Sequence, residues 1–376
     1  MIASNLGETT AGETADVPNR AESSARYVRH VLVIGGAGYL GNVLVRELLR
    51  RNFRVRCLDC LLYPTGSTIA PLLDQPGFSF VRGDLRDRNV VRRSLADITD
   101  VVLLGALVGD PITKKYSNLA RDINLSGSKA VFQSISEFPL VDRFVFTSTC
   151  SNYGVSSSDR AVTEEDPVDP RSVYAETKVG FEEFVLANAH GVDFCPTVLR
   201  LSTAFGLSPR MRFDLTVSEF SRQLALREPL TVYDEETWRP YCHVFDISEA
   251  IIRVLEAERS RVAGEIFNVG GDEGNYTKAM LVTEIRKVLP GSTASYERGG
   301  RDPRDYRVSF DKIRRVLGFE PRHGVPESIT RIIDGVRSGL FDDVEQRAAF
   351  YGNHVVLLSP VGRTYVDRNE VGELAT

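Results

Sequence analysis

Short apolar runs alternate with amphipathic stretches through the first two hundred residues. Val31 to Ile34, partly β-branched and followed by glycine, predicts a buried strand. Val43, Leu44, Glu47, Leu48 and Arg51 then fall at helical spacing, apolar on one side and charged on the other. RVRCLDC, ending in Asp59, is a second strand, and Phe78 to Val81 a third. A run from Val101, then Arg143 to Thr147 and Pro196 to Leu201, complete six. Helices are expected from Asp122 to Phe138 and from near Ser172. Strands alternating with helices predict an α/β fold built on a right-handed, mostly parallel, doubly wound sheet. Ligands of such sheets sit at the carboxyl ends of the strands.

Beyond about residue 205 the pattern loosens into a smaller C-terminal lobe. Helices are expected over Leu215 to Arg227, Ile247 to Ala257 and Thr277 to Leu289, with a last one in PRHGVPESITRIIDGVRSGLFDD. Strands are expected at Leu230 to Tyr233 and in GEIFNVGG. The expected division is a leader (1–27), a sheet domain (28–204), a lobe with elements returning to the sheet (205–343) and an extension (344–376). The leader has few large apolar groups and is expected to be disordered. The extension shows no clear period, and no internal repeat is visible.

At 376 residues and 42% hydrophobic the chain has material for a large core. A net charge of -5 with scattered basic residues points to neither nucleic acid nor an anionic membrane as partner. The five cysteines include a C-x-x-C, Cys57 and Cys60, but no second pair stands at zinc spacing. No metal site is expected. With no run of transmembrane length and no signal-like segment, a soluble, cytoplasmic protein is expected.

Candidate chemistry begins at the turn after the first strand, where Gly35, Gly38 and Gly41 are spaced G-x-x-G-x-x-G. Strand, glycine turn and helix form a phosphate cradle in which the backbone approaches a pyrophosphate at the helix N-terminus. Asp59 follows Gly35 by 24 residues, the spacing of a carboxylate that accepts bonds from an adenosine ribose. It repels a 2′-phosphate and so favours NAD over NADP, with Arg54 and Arg56 nearby as the counter-signal. Gly105 and Ala106, small residues after the fourth strand, leave room for a ring or ribose, or else allow tight helix packing. The fifth strand opens into Ser148, Thr149, Cys150 and Ser151. About 25 residues later Tyr174 and Lys178 share one face of a helix. A tyrosine beside an ammonium and a nicotinamide charge is driven toward phenolate and suits a general base, and a strand-end hydroxyl positions the same substrate oxygen.

Together these motifs resemble the extended short-chain dehydrogenases/reductases, specifically their nucleotide-sugar epimerase/dehydratase branch, over about Val31 to Asp342. GGAGYLG is similar to the family's glycine turn, VRGDLRD to its adenine contact, YAETK to its catalytic pair and FTSTCSNYG to its hydroxyl-rich strand end. The resemblance implies a Rossmann fold with NAD held by Gly35, Gly38, Tyr39, Leu40, Asp59, Asp84, Leu85, Gly105, Ala106 and Lys178. Counting back four from Tyr153 puts Thr149 at the catalytic hydroxyl, beside Tyr174 and Lys178. Members that eliminate water carry Thr-Asp-Glu at this strand end; here Cys150 and Ser151 follow Thr149, which argues against a 4,6-dehydratase. Ser151 also stands where 3,5-epimerising members have cysteine, which weakens that reading. What remains is reversible oxidation at one sugar carbon: a 4-epimerase acting through a 4-keto sugar, a 4-ketoreductase or dehydrogenase, or, in another class, a non-catalytic NAD-binding scaffold. The nucleotide-diphosphate sugar is expected to meet Thr203 in place of the family's asparagine, Arg239 and Arg301 at the diphosphate, Arg212 (with Arg210) as further candidates, and Val232 near the base. His243 is expected to pack beside a strand and not to be catalytic. A homodimer through the Asn124 and Tyr174 helices is also implied.

Overall fold

The computed structural model describes residues 29–156, 160–300 and 304–353; the expected leader, Arg301 and the chain beyond residue 353 lie outside them. The apolar runs form β1 (His30–Ile34), β2 (Arg54–Asp59), β3 (Phe78–Arg82), β4 (Asp100–Leu103), β5 (Arg143–Thr149) and β6 (Cys195–Leu201). Short strands follow: β7 (Thr203–Phe205), β8 (Leu230–Tyr233), β9 (Trp238–His243), β10 (Ile266–Val269), β11 (Asn275–Thr277) and β12 (Ala294–Glu297). The central sheet has the order β10-β6-β5-β4-β1-β2-β3, with every pair parallel. The chain winds outward in both directions from the β1–β4 pair, so a crevice opens at the carboxyl ends of those strands.

The longer helices are α1 (Tyr39–Arg50), α2 (Arg88–Ser94), α3 (Ser128–Ile135), α4 (Val173–Asn188), α5 (Thr216–Ala225), α6 (Val244–Glu256), α7 (Lys278–Val288) and α8 (Val325–Arg337). Both faces of the sheet are covered, which is why its strands are apolar without alternation. Val31 and Val33 join Leu44 and Leu48 of α1 and Ile251 and Leu255 of α6 on one face. Leu32 and Ile34 join Phe132 of α3 and Phe181 of α4 on the other. There Phe144 meets Phe132 edge-on at 5.2 Å and Phe181 at 6.4 Å.

One expected helix differs. Asp122 to Phe138 splits into a π-helical turn, Asp122–Gly127, and then α3. The wide turn carries Asn124, whose Oδ1 accepts from the Leu107 amide (2.7 Å) while its Nδ2 donates to the Leu107 carbonyl (3.0 Å) and to Thr177 Oγ1 (3.3 Å). A side chain held this firmly accounts for the loss of α geometry, and such bulges recur at functional sites.

The lobe holds two small sheets, β11-β9-β7 and β12-β8, over a core of Phe220 and Leu224 from α5, Ile285 from α7 and Ile329 and Ile333 from α8. The start of the extension belongs to it: Val344, Phe350 and Tyr351 are buried in that core. Among the described residues no helix is long and apolar enough to cross a membrane.

Candidate active site

A cavity of about 490 Å³ lies at the carboxyl ends of the central strands, between sheet and lobe. Its floor is the glycine turn. Gly35 has φ +88°, and a Cβ there would stand 2.6 Å from the Gly105 amide nitrogen. One on Gly41 would stand 2.3 Å from the Gly35 carbonyl. Gly38 ends the turn as the cap of α1 and makes no side-chain bond, which leaves first-turn amides available to an anion. Gly105 packs directly on Gly35, so its smallness serves both the room for a ligand and the close backbone approach.

Asp59 closes one end. Its Oδ2 accepts from the Ala37 amide (3.0 Å) and its Oδ1 from the Leu61 amide (2.8 Å). Burial pushes its carboxyl up, and the two amides and Arg210 hold it down. Arg54 and Arg56 turn away from the cavity toward Asp97, Arg56 at 2.9 Å, so they do not stand ready for a 2′-phosphate. Asp84 lines the cavity while bound to Arg86, and Leu85 lies beside it. Tyr39 turns its ring into the lobe and donates to the Gly206 carbonyl, leaving its backbone and Leu40 to the cavity. This glycine cradle, with a carboxylate at one end and small residues at the other, fits NAD.

At the other end stand Thr149, Tyr174 and Lys178, all lining the cavity. Ser172 caps α4 by accepting from the Ala175 amide (3.3 Å), fixing where the helix starts and hence the face that carries the pair. Lys178 is fully enclosed; its Nζ donates to the Thr147 carbonyl at 2.7 Å. Burial lowers its pKa to about 7, against the pull of Glu182. Burial, then Asp110, push the Tyr174 phenol up, and Arg212 and Arg304 pull it down. The Lys178 ammonium lies 5.8 Å from the centre of the Tyr174 ring while it donates to the strand backbone.

The strand end itself is braced from behind. Arg200 of β6 forms a buried pair with Glu182 of α4 (2.8 Å) and donates to Tyr153 Oη (3.0 Å), which donates to Asn268 Oδ1 (2.8 Å). Asn152 donates to both Glu182 and Ser148. Cys150 lies on this inner side, donating to the Arg200 carbonyl, with burial pushing its thiol up. It does not line the cavity.

Thr203, Arg212 and Arg239 line the cavity with Arg210. Arg212 is bound to Asp214 through Nε at 2.9 Å, and Arg239 donates to the Trp238 carbonyl while lying over the Tyr306 ring at 5.2 Å. Arg210 lies over Tyr63 at 4.8 Å, and burial, then Arg212, lower its pKa to about 10. Val232 does not join them: β8 places it fully buried in the lobe core, with no surface toward the cavity. Arg301 lies outside the described residues. Sequence reasoning did not single out Asp110, Arg304, Tyr306 and Asn353, all of which line the cavity.

His243 caps α6 with Nδ1, accepting from the Phe245 amide (3.2 Å), and stacks on His323, itself 2.9 Å from Asp246. These three groups come within 4.8 Å of one another. An acceptor Nδ1 leaves the proton of neutral His243 on Nε2, a donor rather than a metal ligand. All five cysteines are free thiols.

A profile of the "NAD dependent epimerase/dehydratase family" matches residues 31–270. The chain is 31% identical over 321 residues to a low-salt glycan biosynthesis protein of Haloferax volcanii, covering 81% of this chain and 97% of that one. It is 29% identical over 326 residues to a dTDP-glucose 4,6-dehydratase of Streptomyces niveus (82% and 92%). The fold superposes on a Thermus thermophilus UDP-glucose 4-epimerase solved with NAD, at a TM-score of 0.71 and 26% identity, over 82% of this chain and 99% of that one. With the glycine cradle, the Tyr174–Lys178 pair and a match over most of the sheet and much of the lobe, the chain belongs to the NAD-dependent epimerase/dehydratase family of extended short-chain dehydrogenases/reductases.

Proposed function

We propose that the protein is a nucleotide-sugar 4-epimerase that keeps one NAD bound through the cycle. The observation that carries this reading is the β5 end, where Thr149 and Ser151 face the cavity, Cys150 faces away, and no carboxyl group stands on the strand. An elimination across neighbouring sugar carbons needs an acid and a base there, and an epimerisation beside a ketone needs a second base. Removal and return of hydrogen at one carbon needs only Tyr174 and its helpers.

NAD supplies a hydride acceptor that becomes the donor on the return. Tyr174 takes the proton of the C4 hydroxyl as that carbon becomes a ketone, and gives it back to the oxygen of the inverted alcohol. Thr149, whose Oγ1 accepts from the Ser151 amide at 3.1 Å, offers its own hydroxyl proton to the same oxygen. Lys178, anchored on Thr147, orients a ribose beside the phenol. Arg239, Arg212 and Thr203 are assigned to the diphosphate, which guanidinium forks suit. A homodimer through the Asn124 turn and α4 belongs to this reading, and sedimentation of the purified protein tests it.

The experiment is turnover of nucleotide sugars by purified protein, followed by NMR of the C4 epimers and by NADH absorbance together. The expected result is interconversion of epimers without net NADH. Stoichiometric formation or loss of NADH assigns a dehydrogenase or ketoreductase instead, and no turnover of any sugar nucleotide assigns a binding scaffold.

A further inference from the structure

The cavity holds one carboxylate, near Tyr174, that the reaction above does not use. Asp110 follows Gly109 as the first residue of a short helix, Asp110–Lys115, after β4. Its Oδ2 is paired with Arg304 Nη2 at 2.7 Å. Arg304 Nη1 donates to Ser151 Oγ at 3.0 Å, two residues past Thr149, and Tyr306 Oη reaches the same oxygen at 3.4 Å. The second carboxylate oxygen, Asp110 Oδ1, is shut from water and receives no hydrogen bond. A ligand hydroxyl is as large as water, so the pair acts on a bound sugar through its charge.

We propose that the Asp110–Arg304 pair selects nucleotide sugars uncharged beside the reacting carbon over uronic acids. The inference rests on the nucleotide-sugar reading. The Asp110 carboxylate, one-third exposed at the cavity wall, opposes a second carboxylate placed beside it. The fork of Arg304, which touches Ser151, is already engaged on Asp110. A sugar carboxylate reaches that guanidinium only by displacing Asp110, and the two like charges then share one wall of an enclosed site. Specificity by repulsion of the wrong partner is the outcome.

The test is calorimetric binding to NAD-loaded protein of nucleotide-matched pairs, glucose against glucuronic acid, carried on UDP, dTDP, GDP and CDP. In whichever series binds, the wild type is expected to hold the glucose form at least about tenfold more tightly. Asp110→Asn, which keeps the shape and removes the charge, is expected to bring the two within about threefold by strengthening the uronate. Equal or tighter binding of the uronate by wild type overturns the proposal, as does an unchanged ratio in Asp110→Asn. Should that variant not fold, the wild-type ratio decides alone. Binding is read without turnover. A protein that prefers glucose but makes no C4 epimer refutes the epimerase and leaves this inference standing; one that epimerises both sugars equally does the reverse. Binding of no pair overturns both.

Discussion

Lys178→Met separates the catalytic use of the lysine from its cost to the fold. The side chain is 3% exposed, and burial brings its pKa from the usual 10.5 to about 7. At ~1.4 kcal/mol for each pH unit, keeping the ammonium charged in place costs on the order of 5 kcal/mol. Against this, methionine gives up the bond to Thr147, worth ~1 kcal/mol, so the variant is expected to be the more stable protein at pH 6 by a few kcal/mol. The sign with pH follows from linkage. Between about 7 and 10.5 the unfolded chain holds a proton that folded Lys178 has released, so wild-type stability rises with pH through that window relative to the variant. From pH 7 to pH 9 the gap should close by about 3 kcal/mol, or ~3–4 °C in Tm for a chain of 376 residues. Scanning calorimetry of both proteins at pH 6, 7, 8 and 9, without nucleotides, reads it. A Tm difference constant across this range refutes the argument, since it would mean that the ammonium is solvated or paired in the folded state.

Three other substitutions test the architecture around that lysine. Tyr174→Phe is expected to lower kcat by roughly 10²–10⁴ while leaving sugar-nucleotide affinity within a few-fold, measured by turnover and calorimetry; intact activity would remove Tyr174 from its role. Gly35→Ala puts a methyl group on the Gly105 backbone at a φ of +88°, so loss of NAD binding in equilibrium dialysis is expected, with a stability loss of at least ~2 kcal/mol. Glu182→Ala leaves Arg200 charged and enclosed with its carboxylate partner gone, and ~3–5 kcal/mol of stability should be lost in denaturant titration; a loss below 1 kcal/mol would show the pair to be solvated.

The sheet was legible because its physics is local. Both faces of β1 are covered, so Val31–Ile34 had to be apolar throughout, and the glycine turn had to follow it to bring a backbone against Gly105. Thr149, Tyr174 and Lys178 were legible for the same reason: a strand end and one helix face carry them. Val232 was misplaced because a short strand with alternating burial can face a base or a core, and only the packing of α5 under β8 decides which. The π turn at Asp122–Gly127 was hidden because helical periodicity does not register one extra residue per turn when Asn124 is pinned from outside the helix.

The wider surroundings of Tyr174 were less legible, for a different reason. Residues four apart on a helix share a face, but that does not fix where a four-carbon chain ends. Lys178 ends on the Thr147 carbonyl, 5.8 Å from the Tyr174 ring centre, and Asp110, Arg212 and Arg304 bring further charge from three other segments. The same separation runs through the rest of the wall. Asn353, from a stretch with no readable period, donates to the Val108 carbonyl (3.0 Å) and accepts from Arg210 (2.7 Å), and its amide reaches Asp214 (3.2 Å). It therefore ties the segment just ahead of Asp110 to Arg210 and, through Asp214, to Arg212. Chemistry at one carbon needs a strand end and a helix face, and sequence spacing encodes both. Reading the rest of the sugar needs side chains delivered by loops more than a hundred residues apart, and there spacing carries no information. Members of one family can thus share a tyrosine–lysine pair and still differ around the sugar, because the side chains there, Asp110, Arg304 and Asn353 in this chain, come from outside the elements that define the fold.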